Sequence, residues 1–503
     1  MRTPAFLFAA AACIAATPFA LVAQERESAP VAPSLPANAA QASLLDSVEA
    51  ILSAAPAGTR YGLMVTTLDG RELLAIAPDQ RFMPASNTKI FTTVAAYHRL
   101  SQLQDAARGT GVRLEPAKGK RVDVVLEGRG DPDLSSASDC THQCLATLAD
   151  AVAAKTRVVH DIVGDASFYP DERWTPGMSW NNMPFTWGTA IGALVVDDNE
   201  APITIAPGEV GARPKITGNG FFTIRNDAMT VEGVANTIDL WRDPGSSELR
   251  VSGTIGSENK TRDYDLGIDD PALYAAFQLK RLLEERGVKV TGAVRSSYRP
   301  LSPLDDPVKR GEAPVATEAE EPMLMQLPAS PIADDVRVIN KVSQNLHASL
   351  MLRRLGKLAG SGSIADGQAQ VSETLRAAGV GEGGWFLADG SGMSSYNRVT
   401  PRTTATLLQW VAGQPWGEAW RATLPVGGID GTLARRYGDT GLNGRIFAKT
   451  GSINASRALS GYMEAASGQM LVFSAFANDI PPDVEGEAVA AMDAALQAIA
   501  AAN

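Results

Sequence analysis

The chain has 503 residues, 45% of them apolar and 20% charged, fractions ordinary for a soluble globular protein. A chain this long buries a core large enough to fold without a disulfide framework or a structural metal, and at roughly 150 residues per domain it divides into two to four units. The formal net charge of −11 and the lack of a long basic run argue against a general nucleic-acid binder, which needs a basic stripe.

The first 23 residues have the plan of an export signal: Arg2 as basic n-region, an apolar run from Ala5 to Ala16, a break at Pro18, and Ala23 as the last residue, with Leu21 large for its position. That run is too short to span a bilayer well, and no later segment reads as a membrane helix, so no transmembrane anchor is expected. Ala10-Ala11-Ala12-Cys13 lacks the large aliphatic residue usual before a lipidated cysteine. Residues 24–44, rich in Ala, Pro and Ser at their start, read as a flexible tether.

Arg60–Thr67 and Glu72–Ile76 read as a strand pair joined by Asp69-Gly70, and Ser86–Leu103, after Pro84, as a helix. Residues 105–300 change texture. Short apolar runs (Val122–Leu126, Val158–Val163, Ile203–Ile205, Phe221–Ile224, Leu249–Val251) alternate with Gly, Pro and Asp turns, the pattern of a β-rich insert. Within it, Cys140 and Cys144 are the cysteines left after cleavage. They read as a local disulfide or two free thiols rather than as a metal site with His142, since the chain has four histidines. The Pro- and Glu-rich stretch Arg299–Pro322 marks the exit from the insert. Ser343–Leu355 is amphipathic, Arg445–Ile453, Arg457–Ala465 and Gln469–Asn478 read as three strands, and Ala488–Ala502 as a closing helix. One antiparallel sheet covered by helices accommodates both ends.

Ser86 and Lys89 sit three apart at a helix start, so both side chains share one face. A serine hydroxyl needs a base, and a lysine serves only when desolvation or a second cation lowers its pKa. A Ser-x-x-Lys arises on the order of once by chance in such a chain, and a second copy, Ser257–Lys260, lies in a charged, turn-like stretch. The plain alternative for Ser86 is a helix N-cap. Lys449-Thr450-Gly451-Ser452 ends a strand-like run. A glycine there lets a peptide approach the strand edge, while the alternative is a turn with a solvated lysine. Ser343-Gln344-Asn345 opens the amphipathic helix, and could be catalytic or a cap.

In this order, Ser86-x-x-Lys89, Ser343-x-Asn345 and Lys449-Thr450-Gly451 resemble the signature of penicillin-binding proteins and serine β-lactamases. The gap from Lys89 to Ser343 is longer than a compact β-lactamase needs. Gly130-Asp131-Pro132-Asp133-Leu134, Gly164-Asp165-Ala166-Ser167-Phe168, Asp389–Ser394 and Gly431-Thr432-Leu433 add to a similarity, from about residue 45 to the C-terminus, with the D-alanyl-D-alanine carboxypeptidase/endopeptidase family, the class C low-molecular-mass penicillin-binding proteins (peptidase family S13). Asn181-Asn182 departs from the Trp-Asp-Asp frequent in relatives, which puts in doubt a groove formed by Trp174–Trp187.

The resemblance implies an α+β fold: a transpeptidase-like domain from residues 45–104 and 300–503, an inserted domain II from 105–196 and 253–299, and a domain III from 197–252. It implies Ser86 as nucleophile, Lys89 as base, Ser343 as proton relay, Asn345 holding Lys89 and substrate, and Lys449 with Thr450 meeting a terminal carboxylate. Gly451 and Ser452 would line the substrate, with the Ser86 and Ser452 N–H groups as oxyanion hole, and Asp165 would face a diaminopimelate side chain, unless it is only a turn aspartate. No cofactor or metal is implied. The expected partners are peptidoglycan peptides as substrate and β-lactams as covalent inhibitors, in the periplasm or peripheral to the membrane. A β-lactamase or esterase with fast deacylation, and a non-catalytic peptidoglycan-binding protein, are the rival readings.

Overall fold

A computed structural model describes residues 39–503 except 118, 120 and 316–320. The export signal and most of the tether lie outside the described residues. The tether expected over 24–44 ends early, because a helix, Ala39–Ser53, already begins within it. Its Val48 and Leu52 have an apolar surface to cover, and that surface organises the large domain.

The surface is one face of a five-stranded antiparallel sheet, ordered Glu72–Ile76, Arg60–Thr67, Met470–Asn478, Ser456–Glu464, Ile446–Ile453. Side chains alternate across it, as period-2 geometry requires. Leu63, Val65, Leu459 and Phe473 face the two terminal helices, Ala39–Ser53 and Glu485–Ala502. Met64, Ala458, Tyr462 and Phe476 face a second core built from the helices Thr88–His98, Ile332–Lys341, Ile364–Ala377 and Pro401–Ala412. The first and last described helices therefore lie side by side, and Ile446–Ile453 is left as an edge strand.

The helix expected over Ser86–Leu103 is a 3-10 turn, Ala85–Asn87, followed by Thr88–His98 and Leu100–Ala106, with non-helical backbone at Arg99 between the two. The insert begins beyond it. Its sheet runs Val294–Arg299, Ile162–Pro170, Arg121–Glu127, Gly111–Ala117, Met325–Gln326, with parallel pairs on one side and antiparallel pairs on the other. Helices Leu145–Lys155 and Pro271–Glu285 bury their apolar faces with it, and Leu346 and Leu350 from the Asn345–Lys357 helix join the same core. The expected boundary at residue 300 is thus too early: Met325–Gln326 still pairs with Gly111–Ala117, and Leu327 packs in the insert's core.

A smaller β lobe has its own core of Ile203, Ile205, Leu240, Leu249, Val251, Ile255 and Leu266. It runs past the expected end at residue 252, because Arg262–Gly267 pairs with Glu200–Ala206 and closes that core. Cys140 and Cys144 form a disulfide on the insert. No helix among the described residues is long and apolar enough to cross a membrane.

Candidate active site

The turn at Ala85–Asn87 is pressed between two other segments. Ala85 holds φ 47°, and Asn87 Nδ2 donates to the Lys449 carbonyl over 2.8 Å, tying the turn to the edge strand. Gly451 lets the two meet: a Cβ there would lie 2.6 Å from the Pro84 carbonyl oxygen. Gly392 closes the other side with φ +95°, and its Cβ would fall 2.0 Å from the Ala85 carbonyl oxygen. Both positions exclude any side chain.

Ser86 emerges from this turn half-buried, and Lys89 lies beneath it, fully buried. The ammonium nitrogen of Lys89 donates to Ser86 Oγ at 2.9 Å, to Asn345 Oδ1 at 2.6 Å and to the Ser391 carbonyl at 2.6 Å. Burial lowers its pKa to about 7, against an opposing pull from Asp389. The amine is therefore available unprotonated near neutral pH, with its lone pair at the serine hydroxyl. Of the two causes the sequence left open, desolvation dominates here.

The second cation is nonetheless present. Lys449, also fully buried, donates to Ser343 Oγ at 2.9 Å and to the Thr450 carbonyl at 3.1 Å. Burial first, and the charge of Lys89 second, hold its pKa well below the ordinary value. Ser343 reaches it from a left-handed backbone conformation, φ 66°, just ahead of the Asn345–Lys357 helix. Gln344, not Ser343, caps that helix by accepting from the Leu346 N–H. Thr450 pairs hydroxyl to hydroxyl with Thr432 at 2.7 Å.

The sequence reading thus placed Ser86, Lys89, Ser343, Asn345 and Lys449 in one cluster, with Thr450, Gly451 and Ser452 along its rim. Asp165 is the exception. It is buried in the insert's sheet, where its carboxylate accepts from Arg113 at 3.5 Å and from the Ser167 N–H at 2.9 Å. These contacts make it a partner of Arg113 and of its own turn, not a wall of the cleft. Asp131, in the Gly-Asp-Pro stretch, is likewise occupied by the Ser330 N–H at 3.0 Å.

Three contacts add to the roles expected of these residues. Asp389 accepts from the Gly392 and Ser394 N–H groups, each at 2.8 Å, and so shapes the loop whose Ser391 carbonyl holds Lys89. Asn345 Nδ2 donates to the Trp187 carbonyl at 2.9 Å, linking the insert to the cluster. The Trp174–Trp187 segment does reach the cleft: Trp187 Nε1 donates to Asn182 Oδ1 at 3.2 Å, and both residues line a cavity of ≈ 300 Å³ above Ser86. The departure at Asn182 sits on this wall. Backbone-mediated contacts such as that of Ser391 leave no residue-type signal in a sequence.

A nucleophilic serine, a buried lysine of lowered pKa, a serine–lysine pair and an open edge strand define a serine hydrolase of the penicillin-binding, acyl-enzyme class. Residues 44–499 match the family model of D-Ala-D-Ala carboxypeptidase 3 (S13), and the chain belongs to that family. It is 31% identical over 449 residues to a D-alanyl-D-alanine carboxypeptidase of an Actinomadura species, covering 85% of this chain and 79% of the relative. The crystal structure of penicillin-binding protein 4 from Haemophilus influenzae superposes with a TM-score of 0.73 at 22% identity, covering 89% of this chain and 98% of that one. The same protein complexed with a novel β-lactam superposes at 0.67 and 21% identity, over 89% and 98%.

Proposed function

We propose that the chain hydrolyses D-Ala-D-Ala and related bonds of peptidoglycan stem peptides through an acyl-enzyme on Ser86, in the periplasm after loss of residues 1–23. The observation that carries this is the 2.9 Å contact between Ser86 Oγ and a lysine whose pKa lies at about 7. Neutral Lys89 takes the hydroxyl proton as Oγ bonds to the carbonyl carbon of the penultimate D-Ala. The oxyanion lies at the N–H groups of Ser86 and Ser452, on the edge strand. On collapse the C–N bond breaks, and the proton that Lys89 took up passes through the hydroxyl of Ser343, held by Lys449, to the leaving amine, which leaves Ser343 protonated and Lys89 neutral again. Water then cleaves the ester in the reverse sense.

The terminal carboxylate sits against Lys449, Thr450 and Thr432. It supplies the counter-charge that the buried Lys449 lacks, and so favours the ammonium form there. A β-lactam carries the same acyl and carboxylate groups in one ring and acylates the same oxygen. The experiment is mass spectrometry of the full-length protein after incubation with penicillin and, separately, with purified muropeptides. The expected result is a persistent adduct on a Ser86 peptide and release of D-Ala or of cross-linked peptide. Rapid penicillin turnover with no adduct identifies a β-lactamase instead, and no reaction with either identifies a non-catalytic binding protein.

A further inference from the structure

Ser343, the relay to the leaving amine, sits in a three-residue break, 342–344, between the helices Ile332–Lys341 and Asn345–Lys357. Packing does little to hold this break. None of its residues is buried, Val342 is exposed, and the side chain of Gln344 is committed to the cap of the second helix. The last residue of the first helix supplies the hold. Lys341 Nζ donates to both carboxylate oxygens of Asp430, at 2.7 and 2.5 Å. The main chain of Gly431, at φ +56°, lies so close to Lys341 that a Cβ there would stand 2.6 Å from the Lys341 carbonyl oxygen.

Asp430 is fixed independently of Lys341. Its Oδ1 accepts from the Val426 N–H at 2.9 Å. The loop around it is laced to the edge strand, from the Ala448 N–H to the Pro425 carbonyl at 3.0 Å and from the Gly427 N–H to the Ile446 carbonyl at 2.9 Å. Two residues further along the same loop, Thr432 meets Thr450. We propose that Asp430, acting through Lys341, positions the Ser343 hydroxyl for proton delivery, so that the relay and the carboxylate clamp are held by one loop. This rests on the acyl-enzyme reading above and adds to it a pair of positioning residues. A partly exposed ion pair contributes little to stability, so its loss should free the Ser343 segment and leave the fold intact.

The test uses the full-length protein and two substrates with the same acyl group and the same terminal carboxylate. One is an N-acylated D-Ala-D-Ala peptide; the other is the thioester in which sulfur replaces the nitrogen of the last residue. The amine leaves only with the proton that passes from Lys89 through Ser343, whereas a thiolate leaves without one. K341M and D430N should each lower kcat/KM for the peptide about tenfold and leave that for the thioester within about twofold. In D430N the side-chain carbonyl can still accept from the Val426 N–H, so the loop stays in place. The double variant should be no worse than either single one, and K341R, which keeps a charge-assisted pair, should hold the wild-type ratio of the two substrates. A peptide rate unchanged in both variants, a parallel fall for both substrates, or losses that multiply in the double variant overturn the positioning role alone. If the wild type cleaves neither substrate and penicillin leaves Ser86 unlabelled, the acyl-enzyme reading fails and takes the role of the pair with it.

Discussion

Ser86–Lys89 and Ser257–Lys260 carry the same residue types at the same spacing, one in the large domain and one in the small β lobe. Ser257 and Lys260 are both exposed, in a turn held by main-chain bonds from Ser257 N–H to Val231 and from Asn259 N–H to Gly256. Lys89 is fully buried, and its three acceptors come from three separated segments. Desolvation lowers the proton affinity of an ammonium, and only Lys89 is desolvated. The motif names two groups that can react; tertiary packing decides whether one of them is a base.

The largest expected effect separates the two copies outright. Ser86→Ala should abolish covalent labelling by fluorescent penicillin and lower peptide hydrolysis about 10³-fold or more, while Ser257→Ala should leave both at wild-type rates. Labelling that survives in the first variant, or is lost in the second, reverses the assignment. Next comes pH. Because the Lys89 pKa is lowered to about 7, the acylating form is the neutral amine, present above that value and titrated away below it. The acylation rate should fall tenfold for each pH unit below about 7, roughly 100-fold by pH 5. A rate still rising steeply toward pH 10 would mean that Lys89 is not desolvated in solution.

The same contrast accounts for what could be read in advance. The hairpin of Ser456–Glu464 and Met470–Asn478 was legible because alternation and the Ser467-Gly468 turn are local properties. Ser343 and Asn345 were legible as candidates through the amphipathic helix that they open. The φ of 66° at Ser343 left no mark in composition. Met325–Gln326 is too short for periodicity to reveal, so the insert's end was misplaced. Asp165 was misassigned because a family stretch fixes where a residue lies in the chain but not which neighbour, here Arg113, takes up its charge.

His347 extends the comparison from the base to its support. It is buried two residues beyond Asn345, with Nδ1 2.7 Å from Asp335 and Nε2 2.9 Å from Asp198, so it fastens the helix carrying Asn345 to the insert. Burial alone would lower its pKa, but the hydrogen bonds and charges of Asp198 and Asp335 outweigh it and raise the value to about 10. The folded pKa lies above the ordinary one near 6.5. The stabilisation is therefore complete below about pH 6.5 and is lost as pH rises through about 10. His347→Gln should cost about 2–3 kcal/mol at pH 6, because Asp335 keeps Arg354 at 2.8 Å while Asp198 loses its partner. The gap in Tm between wild type and variant should close above pH 10; a gap constant with pH would show that packing, not charge, fastens the two regions.

The smallest effect belongs to the Cys140–Cys144 disulfide, whose Cα atoms lie 5.7 Å apart at a sequence separation of 4. A loop this short restrains few conformations of the unfolded chain, so its loss should cost about 1–2 kcal/mol. Cys140 precedes the Leu145–Lys155 helix, which packs in the insert's core rather than at Ser86. Reduction should therefore lower the Tm of the insert slightly and leave the rate of penicillin acylation within twofold of the oxidised protein. A large loss of acylation on reduction would show that the insert, through its contacts with the helix that carries Asn345, sets the geometry of Lys89.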